Sequence, residues 1–298
     1  MSKQRAILVV GGGQGIGLET TTYLLSHAPA TVQIFVFGLH IDPQLHRHNA
    51  HVHVQGTGES QGQGQASRLH GQTQGQAQAQ AQAQPSRLHI LQGDVTNAVD
   101  RQKAIQTCLD VAGVIDSLVY CAGLMTPIQR IEKVDLDAVK LAYAVNVFGV
   151  IAMCQLALPH LHVSPCPRVI ILSSACDLNV TYHGWMSYCT TKAALSRFIG
   201  LLALENPAIC VQGVYPRLTD TRMPADVIEG KYDGIMTQDE VALFRSRARD
   251  GITLEPAAWC AEAVARLAVG SDNGGKSGLV MYYDEHVPDL LRKKKAKL

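Results

Sequence analysis

The sequence has no marked excess of charge of either sign and no long apolar run. Its 298 residues include 26 lysines and arginines against 25 aspartates and glutamates, for a formal net charge of +1. A nucleic-acid-binding surface needs a basic excess, so the balance argues against nucleic acid as a partner. The absence of a run of about 18 apolar residues argues against a membrane span, and the first residues lack the cleavage region of a signal peptide.

The eight cysteines contain no C-x-x-C pair, the spacing that is typical of zinc sites and of many redox motifs. We therefore expect no metal site. The expected state of the cysteines is a set of buried, reduced thiols in a cytosolic-type compartment. They are Cys108, Cys121, Cys154, Cys166, Cys176, Cys189, Cys210 and Cys260.

What the sequence does contain is a regular alternation of two patterns. Short apolar segments, typical of strands, occur at 6–10, 32–38, 88–94, 116–123, 167–175, 208–216 and 277–283. Segments with helical periodicity lie between them, for instance 98–112, 134–158 and 187–205. This alternation predicts an α/β fold, a doubly wound parallel sheet of the Rossmann type, as a single domain over 1–290.

One segment departs from this pattern. Residues 43–86 are rich in Gln, Gly and Ala, and Gln occupies every second position from Gln72 to Gln84. Such a composition buries too little apolar surface to offset its ordering entropy, so we predict a disordered loop insertion there. An inert insertion is favoured over a partner-binding segment, because a long surface loop costs little stability.

The first apolar segment ends in a glycine loop, "VVGGGQGIG". Gly11, Gly15 and Gly17 have the spacing G-x-x-x-G-x-G, with Gln14 and Ile16 between them. The loop follows a strand and begins a helix, which is the context that a dinucleotide fingerprint requires. Its glycines allow backbone N–H groups and the helix N-terminus to approach a pyrophosphate. The alternative is a plain glycine-rich connection.

The residues that end the second strand bear on the choice of nucleotide. A carboxylate about 20 residues beyond the glycines would bind the ribose 2′-hydroxyl and favour NAD. Gly38, Leu39 and His40 stand there instead. No arginine or lysine is present either, although a protonated His40 could bind a 2′-phosphate. We therefore favour NADP(H) over NAD(H).

Tyr188 and Lys192 stand four residues apart in "SYCTTKAAL". In a helix this spacing places both side chains on one face, and a nearby ammonium lowers the pKa of a phenol. A tyrosine with such a pKa can transfer protons near neutral pH. Taken alone, the pair could also be two ordinary helix residues.

Further polar residues accompany this pair. Ser174 ends the fifth predicted strand, Asn146 lies within a predicted helix, and Cys121–Gly123 end the fourth strand. The carboxyl ends of parallel strands line one crevice of a doubly wound sheet. We therefore expect the glycine loop, Asp94, Ser174 and Pro216 to face one cleft.

With these motifs in order, the chain resembles the short-chain dehydrogenase/reductase family. The resemblance rests on the glycine loop, Asp94-Val95, "YCAG" at 120–123, Asn146, Ser174 and Tyr188-x-x-x-Lys192. It covers nearly the whole chain outside the Gln-rich tract. Within the family the chain is most similar to fungal benzil reductases and sepiapterin-reductase-like carbonyl reductases, on segments such as "SSACDLNVTYHGWMSYCTTKAALSRF" and "DTRM".

The resemblance implies a role for each catalytic residue. Tyr188 would protonate the carbonyl oxygen of the substrate as hydride arrives from the nicotinamide. Lys192 would bind the nicotinamide ribose and lower the pKa of the tyrosine. Ser174 would hydrogen-bond the carbonyl oxygen, and Asn146 would hold a water in a proton relay. For Ser174 and Asn146, capping or turn chemistry is the alternative.

The resemblance also implies the contacts with the nucleotide. Asp94 and Val95 would contact the adenine, and Ala122 and Gly123 the adenosine ribose. Thr221 would contact the nicotinamide carboxamide, close to Pro216. The remaining predicted nucleotide contacts are Gly11, Gln14, Gly15, Ile16, Gly17, His40, Asn146, Tyr188 and Lys192.

Two motifs depart from the family pattern. The usual Asn-Asn of the fourth strand is Tyr120-Cys121, and the usual Pro-Gly after the sixth strand is Pro216-Arg217. An arginine places a bulky cation where glycine gives backbone freedom. We therefore expect the nicotinamide end of the pocket to be altered or partly blocked.

The predicted substrate is a hydrophobic ketone or diketone, which the chain would reduce to an alcohol. Core packing is the alternative for each residue of the expected apolar pocket. Two other functions stay open: an alcohol dehydrogenase working in the oxidative direction, and a nucleotide sensor or scaffold with little turnover. The expected pocket residues are Met223, Ile228, Tyr232, Ile235, Met236 and Phe244 as a lid, and Tyr182 and Trp185 as a wall.

Two further expectations concern assembly and location. The resemblance implies a homodimer or homotetramer whose interface is formed by segments 134–158 and 187–205. The second of these segments carries more apolar surface than one sheet face needs. Residues 291–298 form a basic tail whose final Ala-Lys-Leu resembles the Ser-Lys-Leu peroxisomal address, and a solvated tail is the alternative. The expected location is therefore the cytoplasm or the peroxisome.

Overall fold

The computed structural model describes residues 5–51, 86–249, 254–270 and 276–295. The strands in these ranges are Arg5–Val10 (β1), Val32–Gly38 (β2), Leu88–Gln92 (β3), Ser117–Tyr120 (β4), Arg168–Leu172 (β5), Cys210–Tyr215 (β6), Thr219–Asp220 (β7), Glu255–Pro256 (β8) and Val280–Tyr282 (β9). Seven of them form one parallel sheet in the order β3-β2-β1-β4-β5-β6-β9. The order reverses at β1, which pairs with both β2 and β4, and a crevice for a ligand is expected at that point.

Helices connect the strands and cover both faces of the sheet. They are Gly15–His27 (α1), Pro43–His51 (α2), Ala98–Ala112 (α3), Leu136–Tyr143 (α4), Gly149–Leu161 (α5), Met186–Glu205 (α6), Arg222–Ile228 (α7), Gln238–Arg249 (α8), Ala257–Val269 (α9), Tyr283–His286 (α10) and Pro288–Lys295 (α11). A single π-helical turn, Ala144–Phe148, joins α4 to α5. The predicted doubly wound, Rossmann-type single domain is confirmed.

The sheet is buried on both faces, as its apolar strands predict. Alternate residues of β1 enter two separate cores: Leu8 packs with side chains of α3, α5 and α6, whereas Ile7 packs with side chains of α1 and α9. The helix ends follow local chemistry. For instance, the Asn97 side chain accepts hydrogen bonds from the first turn of α3, and Gly113 ends that helix with φ of +70°.

The predicted disordered loop 43–86 needs a correction at its start, because Pro43–His51 is a helix. Its first turn is stabilised by Asp42, whose Oδ1 accepts a hydrogen bond from the backbone N–H of Gln44 at 2.8 Å. Leu45, fully buried, anchors the helix to the core of the α1 and α9 face. The disorder predicted for 52–85, including Gln72–Gln84, lies outside the described residues.

The predicted boundary between domain and basic tail also changes. Helix α11 runs through Pro288–Lys295, so ordered structure extends beyond residue 290. The helix is attached by Leu290, which is buried in the same core as Leu45. The final Ala-Lys-Leu lies outside the described residues, and the peroxisomal address stays a prediction.

By length and composition, Leu136–Leu161 is apolar enough to cross a membrane. Much of its apolar surface has a different role in the fold. Val150, Met153 and Leu161 of α5 are fully buried in the core that covers one face of the sheet. The segment is therefore a core helix in this structure.

A second, small sheet places two helices beside the cleft. Strands β7 and β8 pair in parallel, Thr219 with Glu255 and Asp220 with Pro256. The chain between them carries α7 and α8. Residues 222–249 form what we call the lid, and its apolar side chains contribute to a third cluster of buried residues.

Candidate active site

The carboxyl ends of β1, β4, β5 and β6 open into one large cavity. Its volume is about 1080 Å³, at the top of the roughly 300–1,000 Å³ that is usual for ligand pockets. The lining runs from the glycine loop, past the end of β5, to Phe244 in the lid. The cavity can therefore hold a dinucleotide together with a small substrate.

The glycine loop fits tightly against the rest of the fold. Gly11 has φ of +76°, and a Cβ there would overlap the backbone of Ala122. A Cβ on Gly17 would overlap the carbonyl oxygen of Gly11. Only glycine therefore suits these two positions. The loop backbone lies at the cavity wall, where α1 begins. The N–H groups in the first turn of α1 are available to bind phosphates. Gln14 and Ile16 also line the cavity.

Four of the predicted adenosine contacts, His40, Asp94, Val95 and Ala122, line the cavity on the side of the glycine loop. Gly123 also lines the cavity but lies at the catalytic end, since a Cβ there would be 3.8 Å from Lys192 Nζ. The Asp94 carboxylate accepts a hydrogen bond from the backbone N–H of Thr96 at 2.8 Å, which fixes the turn after β3. Gly38 and Leu39 complete this end of the cavity. The residues present therefore fit a dinucleotide.

Asn146 lies behind the cavity rather than on its wall. Its Nδ2 donates to the carbonyl oxygen of Leu124 at 2.8 Å and to Thr191 Oγ1 at 3.0 Å, while its Oδ1 accepts from the backbone N–H of Leu124. The side chain is 1% exposed. All of its amide hydrogens and its oxygen are thus used to connect the β4 loop to α6. The side chain of Asn146 therefore positions the β4 loop against α6, and its predicted role in a proton relay stays a prediction.

The π-helical turn that carries Asn146 is held by Tyr120, one of the two departures from the family pattern. The Tyr120 hydroxyl donates to the carbonyl oxygen of Val145 at 2.7 Å. In a π turn the backbone hydrogen bonds join residues five apart instead of four, so a carbonyl oxygen becomes available to accept from a side chain. Tyr120 is fully buried, and burial raises the pKa of its phenol. It therefore acts as a neutral hydrogen-bond donor.

Ser174, Tyr188 and Lys192 converge on the cavity wall. Ser174 and Tyr188 both line the cavity, and Ser174 Oγ accepts a hydrogen bond from the backbone N–H of Cys176 at 3.2 Å. Lys192 Nζ lies 5.6 Å from the centre of the Tyr188 ring and donates to the carbonyl oxygen of Leu172 at 3.0 Å. The three residues come from the end of β5 and from successive turns of α6. This arrangement places a proton donor, a second hydroxyl and an ammonium around one point of the cavity.

The electrostatics of this group differ from the expectation drawn from the spacing. Burial raises the pKa of Tyr188, and the neighbouring Ser174 only partly opposes that rise. The net lowering that was expected from the nearby lysine is not found, because Tyr188 is 6% exposed. Burial also lowers the pKa of Lys192 to about 8. The tyrosine is therefore fully protonated at neutral pH.

Thr221 and Pro216 lie where the sequence predicted them, at the end of the cavity that β6 and the lid share. Thr221 comes before α7, and a Cβ on Gly15 would lie 3.7 Å from its methyl group. The two sides of the nucleotide cleft thus meet at these residues. The Thr221 hydroxyl donates to the carbonyl oxygen of Thr219 at 3.3 Å.

Arg217, expected to obstruct the pocket, is held by the C-terminal part of the chain. Its Nη2 lies 3.0 Å from Asp284 Oδ1, and its guanidinium stacks 3.8 Å from the centre of the Tyr282 ring. Arg217 still lines the cavity. The cation is therefore neutralised and anchored at the wall.

The predicted apolar pocket is only partly correct. Met223, Phe244, Tyr182 and Trp185 line the cavity, as expected. The remaining predicted lid residues pack within the buried cluster instead, because the short helices of the lid need a core of their own. These residues are Ile228, Tyr232, Ile235 and Met236.

Several lining residues were missed by sequence reasoning. Cys176 stands at the wall beside Ser174, and Arg247 follows Phe244 by three residues on α8. The helical spacing of Phe244 and Arg247 could have indicated that the two share a face. Cys176 had no such signal, since its position depends on how the loop after β5 folds back. Elsewhere in the described ranges, no three His, Cys, Asp or Glu side chains cluster as metal ligands do.

The chain matches known proteins in sequence and in fold. A family model described as "short chain dehydrogenase" matches residues 58–231. The chain is 28% identical over 199 residues to the uncharacterized oxidoreductase YIR035C of Saccharomyces cerevisiae, covering 67% of this chain and 77% of that protein. It is 25% identical over 201 residues to the yeast benzil reductase ((S)-benzoin forming) IRC24, covering 65% of this chain and 76% of that protein. The crystal structure of YIR035C superposes with a TM-score of 0.78 at 24% identity, over 97% of this chain and 98% of that one.

Proposed function

The chain belongs to the short-chain dehydrogenase family, and from that premise we propose that it reduces the carbonyl group of a hydrophobic ketone or diketone with NADPH. One observation carries the proposal. Tyr188, Ser174 and Lys192, the last one helical turn from Tyr188, line the same cavity as the glycine loop. When bound there, NADPH supplies the hydride for the carbonyl carbon.

The protein's part in the reaction is to receive the charge that develops on the carbonyl oxygen. The Ser174 and Tyr188 hydroxyls lie together and can both donate to that oxygen. Because burial keeps Tyr188 protonated, it holds its proton until the oxygen becomes basic enough to accept it. The ammonium of Lys192 then stabilises the phenolate that forms, and solvent restores the proton.

Asn146 and Tyr120 support this geometry without touching the substrate. Asn146 connects the β4 loop to Thr191, the residue directly before Lys192. Tyr120 holds the turn that presents Asn146. Both side chains have their hydrogen bonds satisfied inside the protein, so they fix the position of α6.

The substrate end supports an apolar, aromatic ligand. Tyr182 lies 5.2 Å from Phe244 and 4.8 Å from Trp185, and Trp185 lies 5.8 Å from Tyr188, between ring centres. The rings form a continuous wall from the lid to the proton donor. Aromatic walls of this kind bury flat apolar groups and stack against them.

The preference for NADPH rests on the end of β2. Gly38, Leu39 and His40 line the cavity there, and none carries a carboxylate that would bind a ribose 2′-hydroxyl. The nearest acidic residue in sequence, Asp42, uses its side chain to begin α2. A 2′-phosphate would therefore meet His40 without repulsion from a carboxylate.

The test is the depletion of NADPH and, separately, of NADH with an aromatic diketone such as benzil. We expect turnover by the wild type, faster with NADPH, and a loss of about 10²–10⁴-fold in Tyr188→Phe, the range typical of a general acid. Tyr143→Phe, a tyrosine outside the cavity, is the matched control. Equal turnover by Tyr188→Phe would remove the proposed acid, and nucleotide binding without turnover would favour a sensor.

We also propose that the chain forms a homodimer or homotetramer through α4, α5 and α6. Leu136 on α4, Phe148 in the π turn between α4 and α5, and Leu204 on α6 are 65%, 61% and 75% exposed. Large exposed apolar side chains of this kind can mark an interface when they form one patch. Light scattering of the wild type and of Phe148→Asp tests this. A monomeric mass for the wild type would contradict the proposal.

The location remains a prediction from the final Ala-Lys-Leu. A fluorescent protein fused to the N-terminus of the full chain, with and without those residues, distinguishes peroxisome from cytoplasm. Punctate signal that becomes diffuse on deletion would support the peroxisome, and diffuse signal in both would support the cytoplasm.

A further inference from the structure

Arg247 brings a positive charge to the substrate end of the cavity. It stands on α8, three residues after Phe244, and both residues line the cavity. Residues three apart on a helix share a face, with their Cβ atoms about 5–6 Å apart. The Phe244 ring packs edge-to-face against Tyr182 in the aromatic wall. Arg247 therefore stands at this wall, beside the rings that are proposed to hold the substrate.

The other arginines of the cavity wall are held by carboxylates. Arg217 Nη2 lies 3.0 Å from Asp284 Oδ1, and Arg222 Nη2 lies 3.2 Å from Glu229 Oε2. Within the described ranges, Arg247 forms no ion pair of this kind. A guanidinium carries five N–H donors and keeps its charge at any ordinary pH. The charge of Arg247 is thus left for an anion that enters the cavity.

The carboxylates near this end of the fold are engaged by other groups. Glu255 lines the cavity, but it is buried and accepts a hydrogen bond from the Tyr283 hydroxyl at 2.6 Å. Glu240, on α8 itself, accepts from the backbone N–H of Thr237 at 2.8 Å and lies 2.9 Å from His183 Nδ1. Asp94, the other acidic residue of the described lining, fixes the turn after β3. The substrate end consequently keeps a positive charge beside an apolar wall.

We propose that the preferred substrate is an aryl keto acid, and that Arg247 binds its carboxylate. This inference rests on the proposed reductase function and adds a charge requirement to it. The N–H groups of a guanidinium form a fork that matches the two oxygens of a carboxylate. Arg247 is half-buried, so solvent screens the pair less than it screens a pair on the surface. Arg247 is therefore a specificity-determining residue, whereas Tyr188 and Ser174 act on the carbonyl group.

The aromatic wall sets how far the carboxylate lies from the carbonyl group. Trp185 stands between the proton donor and the lid: its ring centre is 5.8 Å from that of Tyr188 and 5.9 Å from that of Phe244. Arg247 lies on the Phe244 side. The carboxylate and the carbonyl group are therefore on opposite sides of an aromatic ring in the substrate, and a carboxylate directly beside the carbonyl would not reach Arg247.

The first test compares an acid with its ester. 4-Benzoylbenzoate and its methyl ester share one ketone and differ in charge. In the wild type, kcat/KM for the acid should exceed that for the ester by about 10-fold or more, equivalent to about 1.4 kcal/mol. Arg247→Met should remove this preference by lowering the value for the acid alone. Arg249→Met, which removes an exposed arginine of the same helix, is the matched control and should keep the preference.

A positional isomer tests the distance. 2-Benzoylbenzoate has the same formula and charge, but its carboxylate stands close to the ketone. Arg247→Met should leave kcat/KM for this isomer unchanged. An equal loss for both isomers would overturn the assignment of the carboxylate to Arg247, and so would a wild type that does not prefer the acid to the ester.

A binding experiment separates this inference from the proposed function, because it needs no turnover. 4-Benzylbenzoate and 4-benzylbenzamide lack the ketone, and calorimetric titration measures their affinity for the full chain saturated with NADP⁺. The acid should bind about 10-fold more tightly than the amide in the wild type and equally in Arg247→Met, with the affinity for NADPH unchanged. A matching fall in NADPH affinity would assign Arg247 to the nucleotide and overturn the inference.

The two proposals can therefore fail independently. A chain that binds 4-benzylbenzoate through Arg247 yet reduces no ketone would contradict the proposed function and leave the carboxylate site standing. A chain that reduces the acid and the ester equally well, with or without Arg247, would keep the reductase function and overturn the carboxylate site.

Discussion

The two ends of the cavity are built in different ways. At the nucleotide end the wall is backbone: Gly11 and Gly17 lie so close to neighbouring main chain that a single added methyl group would collide with it. At the substrate end the wall consists of side chains from the loop after β5, from α6 and from the lid. Substitutions should therefore abolish nucleotide binding at the nucleotide end, whereas at the substrate end they should change substrate affinity by degrees.

The largest effect is expected for Gly17→Ala. The new Cβ would overlap the carbonyl oxygen of Gly11, so the loop must shift away from the phosphate site. We expect nucleotide affinity to fall by about 100-fold or more, equivalent to about 2.7 kcal/mol. Titration of NADPH fluorescence measures it, and far-ultraviolet circular dichroism confirms that the variant is folded.

Gly200→Ala is the matched control. Gly200 lies within α6, and a Cβ there has no neighbour closer than 3.8 Å. Its nucleotide affinity should equal that of the wild type. Wild-type affinity in Gly17→Ala would show that the loop is not a tight cradle.

The next effect concerns Lys192, which lies between the two ends. We expect Lys192→Met to lower kcat by about 100-fold, because the charge that stabilises the Tyr188 phenolate is lost. In the wild type, burial lowers the pKa of Lys192 to about 8. The ammonium is present below that pH and lost above it, so kcat/KM, which reports groups of the free enzyme, should decline as pH rises through about 8. A flat profile of kcat/KM between pH 6 and about 10 would contradict this role.

The same pKa has a consequence for stability. The folded value, about 8, lies below the ordinary 10.5, so between these values the unfolded chain binds the proton and the folded chain does not. Lys192 should therefore make the free energy of unfolding rise as pH increases from about 8 to 10.5. At pH 7, Lys192→Met should be more stable than the wild type, by an amount on the order of 1–3 kcal/mol. Thermal unfolding at pH 7 and 9 measures the difference.

A smaller, graded effect is expected at the substrate end. Phe244→Ala removes a ring that packs edge-to-face against Tyr182. KM for an aromatic diketone should rise by about 10-fold, equivalent to about 1.4 kcal/mol, while nucleotide affinity stays the same. Leu243→Ala, the neighbouring exposed position, is the control. An equal change in both variants would indicate general disturbance of the lid.

The smallest effect is expected for Arg217→Ala. This variant leaves the Asp284 carboxylate, 1% exposed, without its ion pair, although the arginine itself is 36% exposed and partly screened. We expect a loss of about 1–2 kcal/mol in stability. The double variant with Asp284→Asn should recover part of it. Loss of turnover without loss of stability would instead give Arg217 a direct part in the reaction.

The same contrast explains what the sequence could predict. The glycine loop is a local feature: a strand, three spaced glycines and a helix lie within 27 residues, and the structure has them as predicted. Tyr188 and Lys192 are also local, since one helix carries both. Their spacing was therefore sufficient to place them on the cavity wall.

The electrostatics and the lid depend on contacts between distant residues. The pKa of Tyr188 rises because the fold buries the phenol and brings Cys176, 12 residues earlier in the chain, close to it, which helical spacing does not show. Arg217 is neutralised by Asp284, 67 residues further along the chain. The sequence of the lid showed which of its residues are apolar but not which of them line the cavity. Tyr232 and Met236, for instance, pack in the third buried cluster.

The measurement that most directly tests the central claim follows the transferred hydrogen. NADPH labelled with deuterium at the transferable position is incubated with an aromatic diketone and the full chain, and the product is analysed by mass spectrometry. We expect an alcohol with deuterium on its carbinol carbon from the wild type, and almost none from Tyr188→Phe. Bound nucleotide with no labelled alcohol, or equal yields from both proteins, would contradict the assignment of Tyr188 as the proton donor of a carbonyl reductase.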